Sequence, residues 1–223
     1  MPRAAVEPPV HRTVADLLEA VKPLGDIPPG RIRLHPAPGT ATERDVLDVL
    51  DHEGRICELI DGTLVEKAMG FDESMVAVEL ITELKLFLRR HNLGIVAGPD
   101  GTLTPTTGLL RVPDVTFVSW DRLPGRKRPA GPVPRLSIDL AVEVISTNNT
   151  KAEMERKLRE YFDAGTRLVW FLDPKYRTAR VCTAPDHVTR LNEDQSLDGG
   201  DVLPGFTLSL RELFGRANQG PDD

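Results

Sequence analysis

The sequence predicts an α/β protein built around a strand that is buried on both faces. Two observations carry this. Ile138-Asp139-Leu140-Ala141-Val142-Glu143-Val144-Ile145 is mostly apolar without strict alternation, the pattern of a central strand packed above and below. A helical pattern then leads to a second apolar run, Leu168-Val169-Trp170-Phe171-Leu172, which makes a β-α-β unit whose two strands should be parallel. The chain has 223 residues, 40% apolar and 28% charged, which suffices for one ordinary domain with an appendage and excludes wholesale disorder.

Residues 1–40 are rich in proline and read as an arm, with only 13–21 able to form a short helix. Residues 42–51 have helical apolar spacing and stop at Gly54. Segments 57–60 and 63–67 flank Asp61-Gly62, a dipeptide suited to a two-residue primed turn, and predict a hairpin. Over 72–92, Val76, Leu80, Ile81, Leu84, Phe87 and Leu88 recur at helical spacing, with Asp72 as the expected N-cap and Gly94 past the end. Short β-like segments follow at 95–98, 102–105, 112–119, 137–145, 168–172, 178–183 and 188–191. The helix between the two apolar strands opens with Thr150-Lys151-Ala152-Glu153, a capping-box spacing, and closes at Gly165. Leu203-Pro204-Gly205-Phe206 reads as an edge segment and 208–214 as a final helical turn. A folded domain is expected over 41–216, with 217–223 as a disordered tail.

No stretch approaches the roughly 20 apolar residues of a membrane span, and residues 1–10 carry no apolar signal core, so a cytoplasmic location is expected. Cys57 and Cys182 lie far apart, and the five histidines show no zinc-type spacing. Phosphate-binding glycine loops and the Gly-x-Ser-x-Gly elbow are missing, which removes kinase, dinucleotide and serine-hydrolase readings. A formal charge of -6 argues against a protein that coats nucleic acid without specificity. One basic run stands against that balance. Arg122, Arg126, Lys127, Arg128 and Arg135 lie between Asp121 and Asp139 with no acid among them, as a solvated loop or as a contact for phosphates.

Two acids interrupt apolar strands: Asp114, in Arg111-Val112-Pro113-Asp114-Val115, and Glu143, between Val142 and Val144. An ionised carboxylate in such a setting is costly unless something compensates it. Either a salt bridge does so, although Arg111 is the one basic residue in these strands, or a divalent cation serves both acids at once. At about 100° per residue, Lys157 borders a helical stripe of Met154, Leu158, Tyr161 and Phe162, while Arg156, Arg159, Glu160 and Asp163 are expected to face away. It is a snorkelling lysine or a site residue whose ammonium orients a water and offsets charge on a phosphate. On either account Lys157→Met should leave stability within about 1 kcal/mol.

Pro113-Asp114, Glu143-Val144-Ile145-Ser146, Lys157 and Tyr161, Gly165 and Val169-Trp170-Phe171-Leu172-Asp173-Pro174 together resemble the Uma-two family of restriction-endonuclease-like proteins, a branch of the PD-(D/E)XK nuclease superfamily. The match runs from Glu58-Leu59-Ile60-Asp61-Gly62 to Leu213. The resemblance implies a restriction-endonuclease-like mixed central sheet flanked by helices, with Asp114 and Glu143 on adjacent strands as ligands of Mg²⁺ or Mn²⁺. It implies DNA hydrolysis, with the Val144 carbonyl as a further metal ligand, Lys157 beside the attacking water and Glu58 in support. On this view Arg122, Arg126, Lys127 and Arg128 would follow the DNA backbone, and two copies would pair to cut two strands. The sequence departs from the superfamily pattern at Ile145, where a lysine is usual, and at Asp72-Glu73-Ser74, where many relatives carry a histidine. The alternative is a non-catalytic nucleic-acid-binding or protein-interaction module that retains the fold.

Overall fold

The computed structural model describes residues 13–68, 70–99, 103–106, 108–128 and 136–218, with only the backbone of 103–106. In chain order its helices are α1 (Val14–Val21), α2 (Glu43–Glu53), α3 (Phe71–His91), α4 (Lys151–Asp163) and α5 (Leu210–Ala217). The strands are β1 (Cys57–Ile60), β2 (Thr63–Glu66), β3 (Gly94–Ala97), β4 (Leu103–Thr106), β5 (Leu109–Arg111), β6 (Val115–Ser119), β7 (Leu140–Val144), β8 (Leu168–Asp173), β9 (Thr178–Ala184), β10 (His187–Leu191), β11 (Ser196–Asp198) and β12 (Thr207–Ser209). Six strands form the main sheet in the order β10-β9-β8-β7-β6-β3, and a smaller sheet runs β2-β1-β5-β4. The pairing of β7 with β8 is parallel, as the β-α-β reading requires, and the other pairs in the main sheet are antiparallel. The sheet is therefore mixed.

Alternation along β7 explains why its run is apolar throughout. Leu140, Val142 and Val144 pack into the core formed with α3 and α5, whereas Ala141 turns to the opposite core under α4, with Met154, Leu158 and Tyr161. Glu143 shares the parity of Ala141 and so enters the α4 side. The hairpin closes as expected, with Ile60 opposite Thr63 and both turn residues at positive φ, Asp61 at 48° and Gly62 at 69°. A Cβ on Gly62 would meet the Gly39 carbonyl at 2.6 Å, so this turn also admits the arm.

The arm itself is pinned. Val21, Leu24 and Ile27 pack on Ile60 and Val65, and Arg31 makes a two-pronged ion pair with Glu153 of α4 at 2.8 and 2.9 Å. Thr150 caps α4 as its sequence suggests, accepting from the Glu153 N–H at 3.0 Å, while the Glu153 carboxylate serves Arg31 instead of closing a capping box.

Several boundaries differ from the sequence reading. Gly70, not Asp72, is the N-cap of α3, and Asp72 lies in the first turn where its charge favours the helix dipole. Asn92 in the left-handed conformation ends that helix, and Gly94 begins β3. The segment expected as one strand over 112–119 is broken: β5 ends at Arg111, Val112-Pro113-Asp114 bend, and β6 starts at Val115. Proline cannot donate to a ladder, so the chain leaves the small sheet there and enters the main one. At the C-terminus Leu203–Phe206 is a turn region, the edge strand is β12 against β11, and α5 runs to Ala217. Among the described residues no helix is long and apolar enough to cross a membrane.

At the far end of β6 and β7 sits a structural acid. Asp139, 1% exposed, accepts from the Ser119 N–H at 2.8 Å and the Arg122 Nε at 2.9 Å. Burial alone would raise its pKa, but the Ser119 hydrogen bonds and then Arg122 hold it below the ordinary 3.8. A depressed carboxylate contributes stability above its unfolded pKa and loses it as the pH falls through the folded value. Asp139→Asn is thus expected to lower stability at pH 7 by about 2 kcal/mol, with wild type and variant converging below pH 3.8. Urea titrations across that range check it, and a pH-independent gap would refute the ionic account.

Candidate active site

The bend at Asp114 and the parity of Glu143 bring two carboxylates together where β6 begins and β7 ends. Asp114 Oδ2 accepts from the Val144 N–H at 2.7 Å, which fixes the acid against β7. Glu143 Oε1 accepts from Lys157 Nζ at 3.0 Å and from the Tyr161 hydroxyl. Glu58 on β1 faces the same lysine, its Oε1 3.0 Å from Lys157 Nζ, while its Oε2 accepts from Arg111 at 2.6 Å. The Val112 N–H donates to Glu58 as well, at 3.2 Å. All of these side chains are buried.

Lys157 therefore does not snorkel at the edge of a stripe. Its side chain is 2% exposed and its ammonium is shared by Glu58 and Glu143, so its replacement is now expected to be costly instead of nearly neutral. Glu160, read as facing away, instead accepts from Arg111 at 2.7 Å and from Arg156 at 2.6 Å. The salt bridges that the strands seemed to lack come from outside them.

Lys67 is the residue that sequence reasoning missed. It follows β2, lies 3.0 Å from Asp114 Oδ1 and 3.9 Å from Glu143 Oε2, and donates to the Val112 carbonyl. A signal was present: Lys67 continues the strand parity of Thr63 and Val65, both buried, so a charged side chain there enters the interior.

Electrostatics separates the two glutamates. Burial raises the pKa of Glu58, yet Lys157, then Arg111 and Lys67, outweigh it and hold the carboxylate well below its usual range. Glu143 moves the other way, because burial outweighs Lys157 and Lys67 and the like charges of Asp114 and Glu58 add to it. Burial would lower Lys157, but Glu143 and Glu58 raise it above the ordinary lysine value, so it is a firm cation. Burial and the charge on Glu143 push the Tyr161 phenol well up, so it stays a donor.

The donor set fits a hard divalent ion. Asp114 Oδ1, Glu143 Oε2 and the Val112 carbonyl already converge on one positive group, the Lys67 ammonium, which stands in for a cation. Among the described residues no three His, Cys, Asp and Glu side chains form a cage, so an ion here would rely on two carboxylates, backbone oxygen and water, as Mg²⁺ does.

The basic run lies elsewhere. It leaves β6 at the end away from Asp114, about 17 Å along the strand at about 3.3 Å per residue. Arg122 is engaged by Asp139 and by the Gly165 carbonyl at 2.7 Å, whereas Arg126, Lys127 and Arg128 are exposed. Arg135 falls outside the described residues.

A mixed central sheet with helices on both faces is the restriction-endonuclease-like architecture. The chain belongs to the Uma2 family, described as "putative restriction endonuclease", whose sequence profile matches residues 44–211. A crystal structure of a "putative nuclease belonging to DUF820" from Anabaena variabilis has the same fold, with a TM-score of 0.65 and 18% identity over 74% of this chain and 92% of that one. No curated protein matches the sequence.

Proposed function

We propose that the chain is a divalent-metal-dependent endonuclease that hydrolyses phosphodiester bonds in DNA. One observation carries this: Asp114 and Glu143 each turn a carboxylate oxygen to a single cation position, with the Lys157 ammonium fixed beside it. The family description supports the reaction class. A bound Mg²⁺ or Mn²⁺ would supply polarisation of the scissile phosphate and a water of lowered pKa. Asp114, Glu143 and a backbone carbonyl, that of Val144 or Val112, would hold it in the place Lys67 takes. Glu58 and Glu143 restrain the Lys157 ammonium, which orients the water and offsets charge on the phosphate. Tyr161 fixes the rotamer of Glu143.

Plasmid, linear and single-stranded DNA incubated with Mg²⁺, Mn²⁺ or EDTA test the proposal. Cleavage is expected only with a divalent ion, and no product on any substrate would sink it. Replacing Arg126, Lys127 and Arg128 together by Ser asks whether the distant loop touches DNA, and an unchanged affinity and salt slope would assign it to solvent. Pairing of two copies, expected for cutting both strands, is read from sedimentation with and without DNA.

A second reading has its own observation. Asp114 and Glu143 are each 4% exposed and Lys67 already compensates them, which suits a binding module without chemistry. Nucleic-acid binding that persists without cleavage under every cation would favour it.

A further inference from the structure

The four strands from β7 to β10 lie side by side, and their register aligns one row of residues across the sheet. Glu143 is opposite Phe171, Phe171 opposite Arg180, and Arg180 opposite Arg190. Residues paired in this way point to one face. Since Glu143 meets Lys157 and Tyr161 of α4, the whole row lies on the α4 side. It runs outward from a buried Phe171 through a half-buried Arg180 to an exposed Arg190. With strands about 4.8 Å apart, Arg180 stands about 10 Å and Arg190 about 14 Å from Glu143.

A groove of about 370 Å³ opens over this row, between the strands and the first turn of α4, with Lys151, Met154 and Asp173 also on its walls. The Arg180 guanidinium lies 4.3 Å over the Phe171 ring, which holds it at the groove floor. Among the described residues neither Arg180 nor Arg190 forms an ion pair, and nearby Glu155 is already 3.6 Å from Lys151. Burial chiefly, together with the like charge of Arg190, pushes Arg180 below the usual arginine value, against Glu155 and Asp173. Such a cation gains from an anion in direct contact, which none of the described residues supplies. Arginine forks match phosphate oxygens in pairs, and a row of them at a sheet edge follows a polyanion.

We infer that Arg180 and Arg190 form a phosphate track that binds the sugar-phosphate backbone of a nucleic acid within a few nucleotides of the phosphate at Glu143. The inference rests on the nuclease reading, since it is Glu143 that makes this end of the sheet the reacting end. It places the substrate over the C-terminal end of β7, at the opposite end of the sheet from the loop of Arg126 to Arg128.

The full chain is titrated in EDTA with a fluorescein-labelled DNA duplex at several salt concentrations. Arg180→Ser with Arg190→Ser should weaken binding roughly tenfold and reduce the slope of log affinity on log salt by about 2. Changing both to Lys keeps the charge without the fork, so the slope should persist while part of the affinity is lost. Because Arg180 packs on Phe171, Arg190→Ser is also measured alone; it is exposed, cannot disturb the core, and should reduce the slope by about 1. Unchanged affinity and slope in Arg190→Ser and in the double variant overturn the track. Cleavage is followed separately with Mg²⁺. Weakened binding beside a wild type that never cuts retains the track and removes the catalytic reading, while a wild type that binds no duplex removes both.

Discussion

Lys157→Met is expected to lower stability by about 3–5 kcal/mol and to slow cleavage by roughly a hundredfold or more. The physical reason for the first effect is an uncompensated charge. Methionine keeps the packing against α4's neighbours, but Glu58 and Glu143 lose the ammonium that stands 3.0 Å from each. Glu58 retains Arg111 at 2.6 Å, so Glu143 bears most of the loss and should take up a proton. Denaturant unfolding gives the stability change, and single-turnover cleavage gives the rate, because only a group near the phosphate alters the chemical step. A variant that is destabilised yet cuts at the wild-type rate would reduce Lys157 to a structural cation. Lys151, the other lysine of this helix, is 88% exposed and paired with Glu155, so Lys151→Met should leave stability and the single-turnover rate at saturating DNA unchanged, whatever it does to DNA affinity from the groove wall.

Asp114→Asn should abolish the stabilisation by divalent ions and depress cleavage by about a thousandfold or more. In the wild type, Mg²⁺ or Mn²⁺ is expected to raise the Tm, since a ligand that binds the folded state alone stabilises it by mass action. The asparagine oxygen can still accept from the Val144 N–H, which preserves the bend. Its amide would meet Lys67 where Oδ1 stood at 3.0 Å, leaving two donors face to face and no anion for a metal. Differential scanning fluorimetry with and without Mn²⁺ measures this directly, and an equal shift in wild type and variant would remove Asp114 from the site.

Where periodicity or turn chemistry was strong, the sequence could be read into structure. The Asp61-Gly62 hairpin, the long helix ending beside Asn92 and the parallel β7–β8 pair all follow from local patterns. Asp114 and Glu143 were visible because charge inside an apolar strand is locally anomalous. The pairing itself was not, because Lys67 and Lys157 reach these acids only when distant segments come together; the neighbouring Glu58 likewise takes Arg111 from 53 residues away. Glu160 was misplaced for the same reason: one helix's angular arithmetic assigns a face to solvent without knowing that a second sheet supplies Arg111.

The charge cluster joins the two sheets to α4, and this has a consequence for how the protein comes into being. During synthesis the ribosome releases Glu58, Lys67, Arg111 and Asp114 well before Glu143 and Lys157. The small sheet, with the arm laid against it, can collapse early around Ile60 and Val65, but its acids and bases then lack half their counter-charges. Contacts between remote segments close late, once the loop entropy has been met. The charge cluster is accordingly incomplete until β7 and α4 have joined the earlier segments, and a chain that stops before β7 holds neither Glu143 nor Lys157.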